Sequence, residues 1–356
     1  MVTSTPIQST PIQPTPIQST PSQTNWSTYI NQQKPLWNVG ALLYTIGGYY
    51  SGVYLLCAEN LGLNTLGIFL VTHALVLSAY LAHEFMHGTI FSSMKTNHRW
   101  GTVMQWLHGT SYARFQDLSQ GHIDHHIKGI DLYIFDRIAF IHSLSTPLKT
   151  LIIGLERLYF PALFLIRQAV GIGIIYQNGT RLTKAWVLAV LLLRTVMFAV
   201  LGWLSLKGLL LYCFAYIGAV QIILIMDCLQ HTYELYPYGA VVPKKSLADE
   251  QAHTFSTPIS LRYPWLNLLL LNFSYHSAHH AAMKCPWYNL PELDIAIKQQ
   301  QTVHYIGLPQ VLTNYHRFRI QRLFDANEGS TGVDSQGNLN LDQFYGVMGG
   351  TSLLLA

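Results

Sequence analysis

The chain has 356 residues, of which 50% are hydrophobic and only 11% are charged. An average soluble domain carries about 25% charged residues, so this composition indicates a membrane protein. The net charge of +4 comes without a Lys/Arg block, and we expect no nucleic-acid partner. The four cysteines form no CxxC pair, which argues against a zinc ribbon or a disulfide framework.

The N-terminal segment, residues 1 to 30, repeats the sequence TPIQ at positions 5 to 8, 10 to 13 and 15 to 18. Prolines at this spacing block helix and sheet, and the repeat has little to bury, so it predicts a disordered tail. Because the segment lacks a basic start followed by an apolar core, it does not resemble a secretory signal.

Four apolar runs follow, near residues 37 to 57, 62 to 82, 185 to 205 and 208 to 228. Each approaches the ~20 residues that cross ~30 Å of hydrocarbon at 1.5 Å per residue. Short turns at 59 to 62 and 205 to 208 separate the members of each pair. The sequence therefore predicts four transmembrane helices in two hairpins.

The long connection between the two hairpins carries much of the positive charge. About ten Lys and Arg residues lie between residues 95 and 184, whereas the two turns contribute only Lys207. By the positive-inside rule, this connection and both termini face the cytoplasm. Its apolar stretches at 100 to 112 and 138 to 176 predict half-buried or interfacial helices.

Charged residues within apolar stretches constrain this topology. A crossing helix at residues 151 to 175 is the alternative, and it would invert everything that follows. Glu156, Arg157 and Arg167 make such a span costly. Arg194 lies in the middle of the third run, where we expect a charge to snorkel or to pair with protein.

Sixteen histidines are the outlier of the composition, and nine of them form a pattern. An HExxH sequence ends the second run and places two imidazoles on one helix face. HxxHH occurs twice, and its positions i, i+3 and i+4 also share a helix face. One further histidine ends the fourth run. The nine are His83, His87, His122, His125, His126, His231, His276, His279 and His280.

Nine imidazoles at one membrane face exceed the needs of one tetrahedral zinc site, so their number indicates two metal ions. Imidazole suits iron, copper, zinc and nickel alike, and the ligand type does not name the metal. An isolated HxxHH could be a solvated surface run, and His231 could complement a helix dipole. The HExxH sequence alone also fits a zinc protease with Glu84 as base.

The other seven histidines follow no ligand spacing and are interpreted as structural, with His253 the first to examine in a structure. They are His73, His98, His108, His142, His253, His304 and His316.

Taken together, the three histidine boxes resemble those of the membrane fatty acid desaturase family over residues 40 to 295. Residues 286 to 293 (PWYNLPEL) resemble the sequence that follows the family's third box, and residues 229 to 232 (LQHT) resemble its additional ligand stretch. The resemblance implies an all-α integral membrane fold with a cytoplasmic helical cap that holds a histidine-box di-iron site. The nine histidines would then ligate two irons, and Asn272 would hold a metal-bound water.

The same resemblance implies an enzyme that uses O2 and a separate electron donor of the ferredoxin or cytochrome b5 type to desaturate a lipid acyl chain. Hydroxylation or ketolation of a carotenoid or a sphingolipid stays open, because substrate placement decides between these outcomes. An intramembrane zinc protease and a non-enzymatic metal carrier are rivals from other classes. The expected organisation is the tail to residue 30, a desaturase-like domain at 31 to 300, and a flexible cytoplasmic tail at 301 to 356.

Overall fold

The computed structural model describes residues 26–133, 135–237, 239–243, 245–300, 302–325, 332–333 and 339–348, which excludes the TPIQ repeats. These residues are mostly helical. The helices are α1 (Ser27–Asn31), α2 (Pro35–Leu56), α3 (Leu61–His87), α4 (Met94–His108), α5 (Phe115–Lys128), α6 (Arg137–Ser143), α7 (Thr146–Arg157), α8 (Ala162–Asn178), α9 (Arg181–Leu204), α10 (Leu206–Asp227), α11 (Leu247–Ala252), α12 (His276–Ala281), α13 (Leu290–Lys298), α14 (Leu308–Arg317) and α15 (Gln321–Phe324).

Two short strand pairs and three 3₁₀ helices complete the described fold, and the strands are a departure from the expected all-α architecture. Strand β1 (Asp131–Tyr133) pairs in parallel with β2 (Leu235–Pro237), and β3 (Gly332–Val333) pairs antiparallel with β4 (Leu339–Asn340). The 3₁₀ helices are Pro264–Leu270, Trp287–Asn289 and Leu341–Gln343.

Helices α2, α3, α9 and α10 are each long and apolar enough to cross a membrane. They coincide with the four predicted runs. Helix α9 begins at Arg181, four residues before the third predicted run. Helix α3 continues beyond its apolar run to include the whole HExxH sequence. The protein is therefore an integral membrane protein by the length and composition of these helices.

Asparagine side chains close the turn between α2 and α3. The Asn60 side chain accepts a hydrogen bond from the backbone N–H of Leu63 and so caps the start of α3. The Asn64 amide donates to three backbone carbonyls at the end of α2 and just after it. Both ends would otherwise leave backbone groups without partners, so these two residues fix the turn.

Glycines bring α2 and α3 into close contact. A Cβ atom at Gly67 would lie 2.9 Å from the Gly52 carbonyl oxygen, and a Cβ at Gly52 would lie 2.8 Å from Val71 Cγ2. Small residues at such positions let two helix backbones approach each other within a membrane, where van der Waals packing drives association.

The stretch from 146 to 178 forms two helices, α7 and α8, that meet at 117°. The straight crossing helix considered for residues 151 to 175 is therefore absent. Glu156 lies buried next to this bend, where its carboxylate accepts a hydrogen bond from Leu163 N at 2.9 Å. Arg319 Nη2 lies 3.7 Å from the same carboxylate, so this buried charge is paired.

Arg194 pairs with protein, as one of the two sequence interpretations predicted. Its side chain is buried, and its guanidinium donates to the Trp106 carbonyl oxygen in the last turn of α4. A cation at the carboxyl end of a helix is favourable because the last carbonyls carry partial negative charge.

The expected flexible C-terminal tail is wrong for the residues that the structure describes there. Val311, Tyr315 and Phe344 belong to the main hydrophobic core. The Tyr315 hydroxyl donates to Gln221 Oε1 at 2.8 Å and so attaches α14 to α10. Apolar residues on one face of α14 provide the burial that the polar composition of this region had obscured.

Residues 26 to 30 belong to the segment predicted to be disordered, but they are ordered, and α1 begins there at Ser27; residues 1 to 25 lie outside the described residues. Trp26, Tyr29 and Ile30 pack on the cluster formed by α12 and α13, since they supply apolar surface that the repeat lacks. The Asn289 amide donates to the carbonyl oxygens of Tyr29 and Gln32, both at 2.8 Å. The N-terminal segment is thereby attached to the sequence that follows the third histidine box.

The glycine contact between α2 and α3 gives a test of the fold. We expect Gly67→Val to destabilise the protein by roughly 1–3 kcal/mol, because the added atoms meet the backbone of Gly52 and Leu56, which cannot move aside as a flexible side chain can. Thermal unfolding in detergent measures the change. Gly47→Val is the matched control, since no described heavy atom lies within 4 Å of a Cβ built there. Equal unfolding midpoints for both variants would contradict the close packing.

Candidate metal centre

All nine histidines of the predicted set lie in one buried cluster. Helix α3 supplies the first box, α5 the second and α12 the third, while His231 follows the end of α10. Each of the nine side chains is at most 5% exposed. The i, i+3 and i+4 spacings place the ligands of each box on one face of its helix, as the sequence predicted.

Five imidazoles form the first group of the cluster. The ligand nitrogens of these five all lie within 4.8 Å of one another: His83, His87, His122, His126 and His279. The Nε2 atoms of His87 and His122 are 2.8 Å apart, and those of His126 and His279 are 3.1 Å apart. Two nitrogens bound at right angles to one metal at ~2.1 Å would be separated by about 3.0 Å. These nitrogens are thus spaced as ligands of a shared cation.

A second group lies beside the first. The ligand nitrogens of His125, His231 and His280 lie within 4.8 Å of one another, and His276 Nε2 is 2.6 Å from His231 Nε2. The rings of His126 and His280 stack with centroids 4.1 Å apart and connect the two groups. The Nε2 atoms of His125 and His280 are buried without a hydrogen-bond partner in the described ranges, which is the state expected of metal-directed nitrogens.

Two carboxylates orient the rings of the second group. The His280 Nδ1 atom lies 2.8 Å from Glu250 Oε1, and His125 Nδ1 lies 3.1 Å from Asp131 Oδ1 and 2.8 Å from the Ile130 carbonyl oxygen. Metal-binding histidines commonly donate their second N–H to such partners, which directs the other nitrogen at the ion. The pairing of β1 with β2 holds Asp131 in place, because its N–H donates to the Glu234 carbonyl.

The sequence analysis missed both carboxylates. Asp131 lies only five residues after the second box, but no spacing rule connects it to His125. Glu250 belongs to α11, which the sequence pattern did not mark at all. Only the folded chain brings it to His280.

Four imidazoles outside the membrane helices, His126, His276, His279 and His280, are held neutral. Burial, followed by the neighbouring imidazoles, lowers the pKa of His126, His276 and His280 well below the ordinary value. Burial and His125 lower the pKa of His279 to about 3. A neutral imidazole offers a lone pair to a metal, so the cluster is suited to cations near neutral pH.

Glu84, the candidate base of a zinc protease, is engaged in structural hydrogen bonds. Its carboxylate oxygen Oε2 accepts from Thr89 Oγ1 at 2.7 Å and from Trp287 N at 3.3 Å. Glu84 therefore connects the first box to the sequence after the third box.

Asn272, the predicted holder of a metal-bound water, is buried and adopts a left-handed backbone conformation with φ of 55°. Its amide donates to the Trp287 carbonyl oxygen at 3.1 Å. Its Oδ1 atom is buried without a hydrogen-bond partner among the described residues. The residue thus offers one acceptor that a water could use.

Three of the histidines interpreted as structural, His73, His108 and His253, have other contacts. His73 lies between the Tyr44 hydroxyl and the Leu269 carbonyl oxygen. His253, which follows α11, places Nδ1 2.8 Å from the Asp249 carbonyl oxygen of that helix. His108 contacts Thr110. None of these three belongs to either imidazole group.

The fold and the site together define an integral membrane protein with a buried histidine cluster for metal binding. Residues 61 to 311 match the sequence profile of the fatty acid desaturase family, and the chain belongs to that family. Membership makes the protein an oxidoreductase. A comparison with curated proteins gives no match.

The Glu250 contact gives a test of the centre. We expect Glu250→Ala to lower metal affinity by about 10- to 100-fold, because His280 loses the carboxylate that orients it. Metal retention against a competing chelator measures the change. Glu250→Gln should recover part of the affinity, since its amide oxygen can still accept from Nδ1–H. Glu234→Ala removes a largely exposed carboxylate and should leave retention unchanged. Unaltered retention in Glu250→Ala would contradict the orienting role.

Proposed function

We propose that the protein is an acyl-chain desaturase that contains two irons, consumes O2 and takes electrons from a separate carrier of the ferredoxin or cytochrome b5 type. The group of five imidazoles within 4.8 Å of one another is the observation that carries this proposal. A second group beside it supplies the ligands for a second ion. Family membership supports iron and lipid as metal and substrate class.

The ligand assignment follows the two groups. One iron would take His83, His87, His122, His126 and His279, and the other would take His125, His231, His276 and His280, with Asn272 acting through a water. Two bound irons would supply the activation of O2 that removes hydrogen from an unactivated methylene. Zinc has no redox chemistry and could not serve in this role.

The chain's own residues orient and enclose this centre. Asp131 and Glu250 direct imidazoles inward, and the Phe273 ring packs against His83 and His276 with centroids 4.9 and 5.1 Å away. The Tyr233 hydroxyl hydrogen-bonds with Thr254 Oγ1 at 2.7 Å next to His280. These groups exclude water from the centre, which protects a strong oxidant from side reactions.

We further propose that α2 with α3 and α9 with α10 cross the membrane as two hairpins. The metal centre and both termini would face the cytoplasm, in a helical cap built by the long connection. The charge asymmetry supports this orientation, because about ten Lys and Arg residues lie between 95 and 184. In this organisation residues 31 to 300 form the desaturase-like domain, and residues 301 to 356 lie on the cytoplasmic side.

The zinc protease interpretation leaves most of the cluster without a purpose, and the Glu84 carboxylate that it requires is already bonded by Thr89 and Trp287. A metal carrier would need ligands along a path through the bilayer, whereas the nine imidazoles lie together. Neither alternative fits the family to which the chain belongs.

Mass spectrometry of lipids tests the reaction. We expect expression in a host without the activity to yield acyl chains that have lost two hydrogens, because desaturation removes hydrogen from neighbouring carbons. A catalytically inactive His279→Ala chain expressed in parallel is the control. A gain of one oxygen would replace desaturase by hydroxylase, and a modified carotenoid or sphingolipid would change the substrate class.

Metal analysis tests the ligand assignment. We expect two irons per wild-type chain, and we expect His125→Ala and His279→Ala each to lose iron and activity, because each removes a buried ligand nitrogen. His253→Ala is the matched control, since this imidazole lies outside both groups. One zinc per chain, together with loss of activity in Glu84→Gln, would instead support the protease.

A further inference from the structure

A lateral groove of about 580 Å³ lies between α2, α3 and the 3₁₀ helix Pro264–Leu270. Its walls are largely apolar and aromatic, and within the described part of the chain no Asp, Glu, Lys or Arg lines it. The residues that matter here are Trp37, Gly40, Tyr44, His73, Leu271 and Trp287. The groove shares no lining residue with the two imidazole groups.

The groove lies at the depth of the hydrocarbon layer if α2 and α3 span the membrane. Tyr44 is nine residues after Pro35, which is about 14 Å of helix, and His73 is fourteen residues before His87, about 21 Å. The hydrocarbon core is ~30 Å thick. With α2 and α3 across the membrane, the exposed lining residue Tyr44 of α2 faces lipid acyl chains rather than water.

Inside the groove, the Tyr44 hydroxyl, the His73 ring and the Leu269 carbonyl form a row of hydrogen bonds. The Leu269 carbonyl can only accept, so His73 Nε2 carries the proton and donates to it at 2.9 Å. With the proton on Nε2, the Nδ1 atom accepts from the Tyr44 hydroxyl at 2.7 Å. Both imidazole nitrogens are therefore occupied, and the row attaches the 3₁₀ helix to α3. An apolar ligand could enter without stripping water from these nitrogens.

The inner wall of the groove adjoins the metal centre. Leu271 is two residues before Phe273, whose ring contacts His83 and stacks on Tyr80 with centroids 4.6 Å apart. Trp287, also in the wall, donates its backbone N–H to Glu84 of the first box. Phe273 and the Trp287–Glu84 hydrogen bond thus connect the groove wall to the imidazoles.

We propose that this groove binds one acyl chain of a bilayer lipid from the side, so that the substrate is a chain of a membrane lipid rather than an acyl group on a water-soluble carrier. The inference rests on the proposed function. Ligand sites of about 300–1,000 Å³ with mostly apolar walls are typical for small molecules. A helix of a second copy is a poorer fit. Four turns of a helix 10 Å in diameter occupy on the order of 1,700 Å³, which exceeds the groove volume.

Two glycines of α2 provide a matched test. Gly40 lines the groove, whereas Gly47 lies two helical turns further along and outside it. Both are exposed, and neither has a described heavy atom within 4 Å of a Cβ built on it. Gly40→Leu therefore fills the groove, and Gly47→Leu adds the same side chain on the same helix without doing so.

The full chain loaded with iron is reconstituted into vesicles of saturated phosphatidylcholine and supplied with a reductant, and chain oxidation is measured. We expect Gly40→Leu to lower the rate at least about tenfold with iron content unchanged, and Gly47→Leu to match wild type. A photoactivatable phosphatidylcholine provides a second readout. It should label groove peptides in wild type and Gly47→Leu but not in Gly40→Leu.

Several results would overturn the proposal. These are equal rates and equal labelling in the two variants, oxidation by wild type of an acyl-coenzyme A but not of phosphatidylcholine, or a dimer that only Gly40→Leu dissociates, without lipid labelling of the groove. Failure of the wild type to oxidise either substrate would instead count against the proposed desaturase activity. Labelling would then still decide whether the groove holds a lipid chain.

Discussion

Nine buried imidazoles that face one another cannot satisfy their nitrogens by hydrogen bonds alone. A neutral imidazole has one N–H and one lone pair, and the close contacts in the cluster join Nε2 to Nε2. Cations resolve this conflict, since they accept the lone pairs of several rings at once. The remaining architecture serves the same constraint: α3, α5 and α12 converge, and Asp131 and Glu250 fix the orientation of rings at the periphery.

The buried network around Glu84 shows how distant segments hold this arrangement. Glu84 is bonded to Trp287, and the indole N–H of Trp287 donates to Asn38 Oδ1 in α2. The neighbouring Asn289 is bonded to the chain just before α2. A polar side chain buried with its partners contributes specificity as well as energy, because any misplacement leaves an unsatisfied group. The third box is thereby positioned by residues from the start of the chain.

Periodicity was enough to find the four long helices and the histidines that form the buried cluster, because both patterns are local in sequence. The HExxH and HxxHH spacings already place ligands on one helix face before any tertiary contact forms. Glu250, Asp131 and the buried Phe344 could not be found this way, since their roles depend on contacts across the fold. The bend between α7 and α8 was likewise invisible to hydropathy, and the charges of Glu156, Arg157 and Arg167 indicated only that a crossing helix there would be costly.

The contact between Gly52 and Gly67 has a mechanical consequence. Backbones this close cannot slide or rotate past each other without collision, so α2 and α3 behave as one rigid helix pair. This helix pair carries the first histidine box at the end of α3 and also forms one wall of the lateral groove. A movement that admits or releases a bound molecule must then come from the opposite wall of the groove. There the short segment Pro264–Leu270 is bonded to the helix pair through His73.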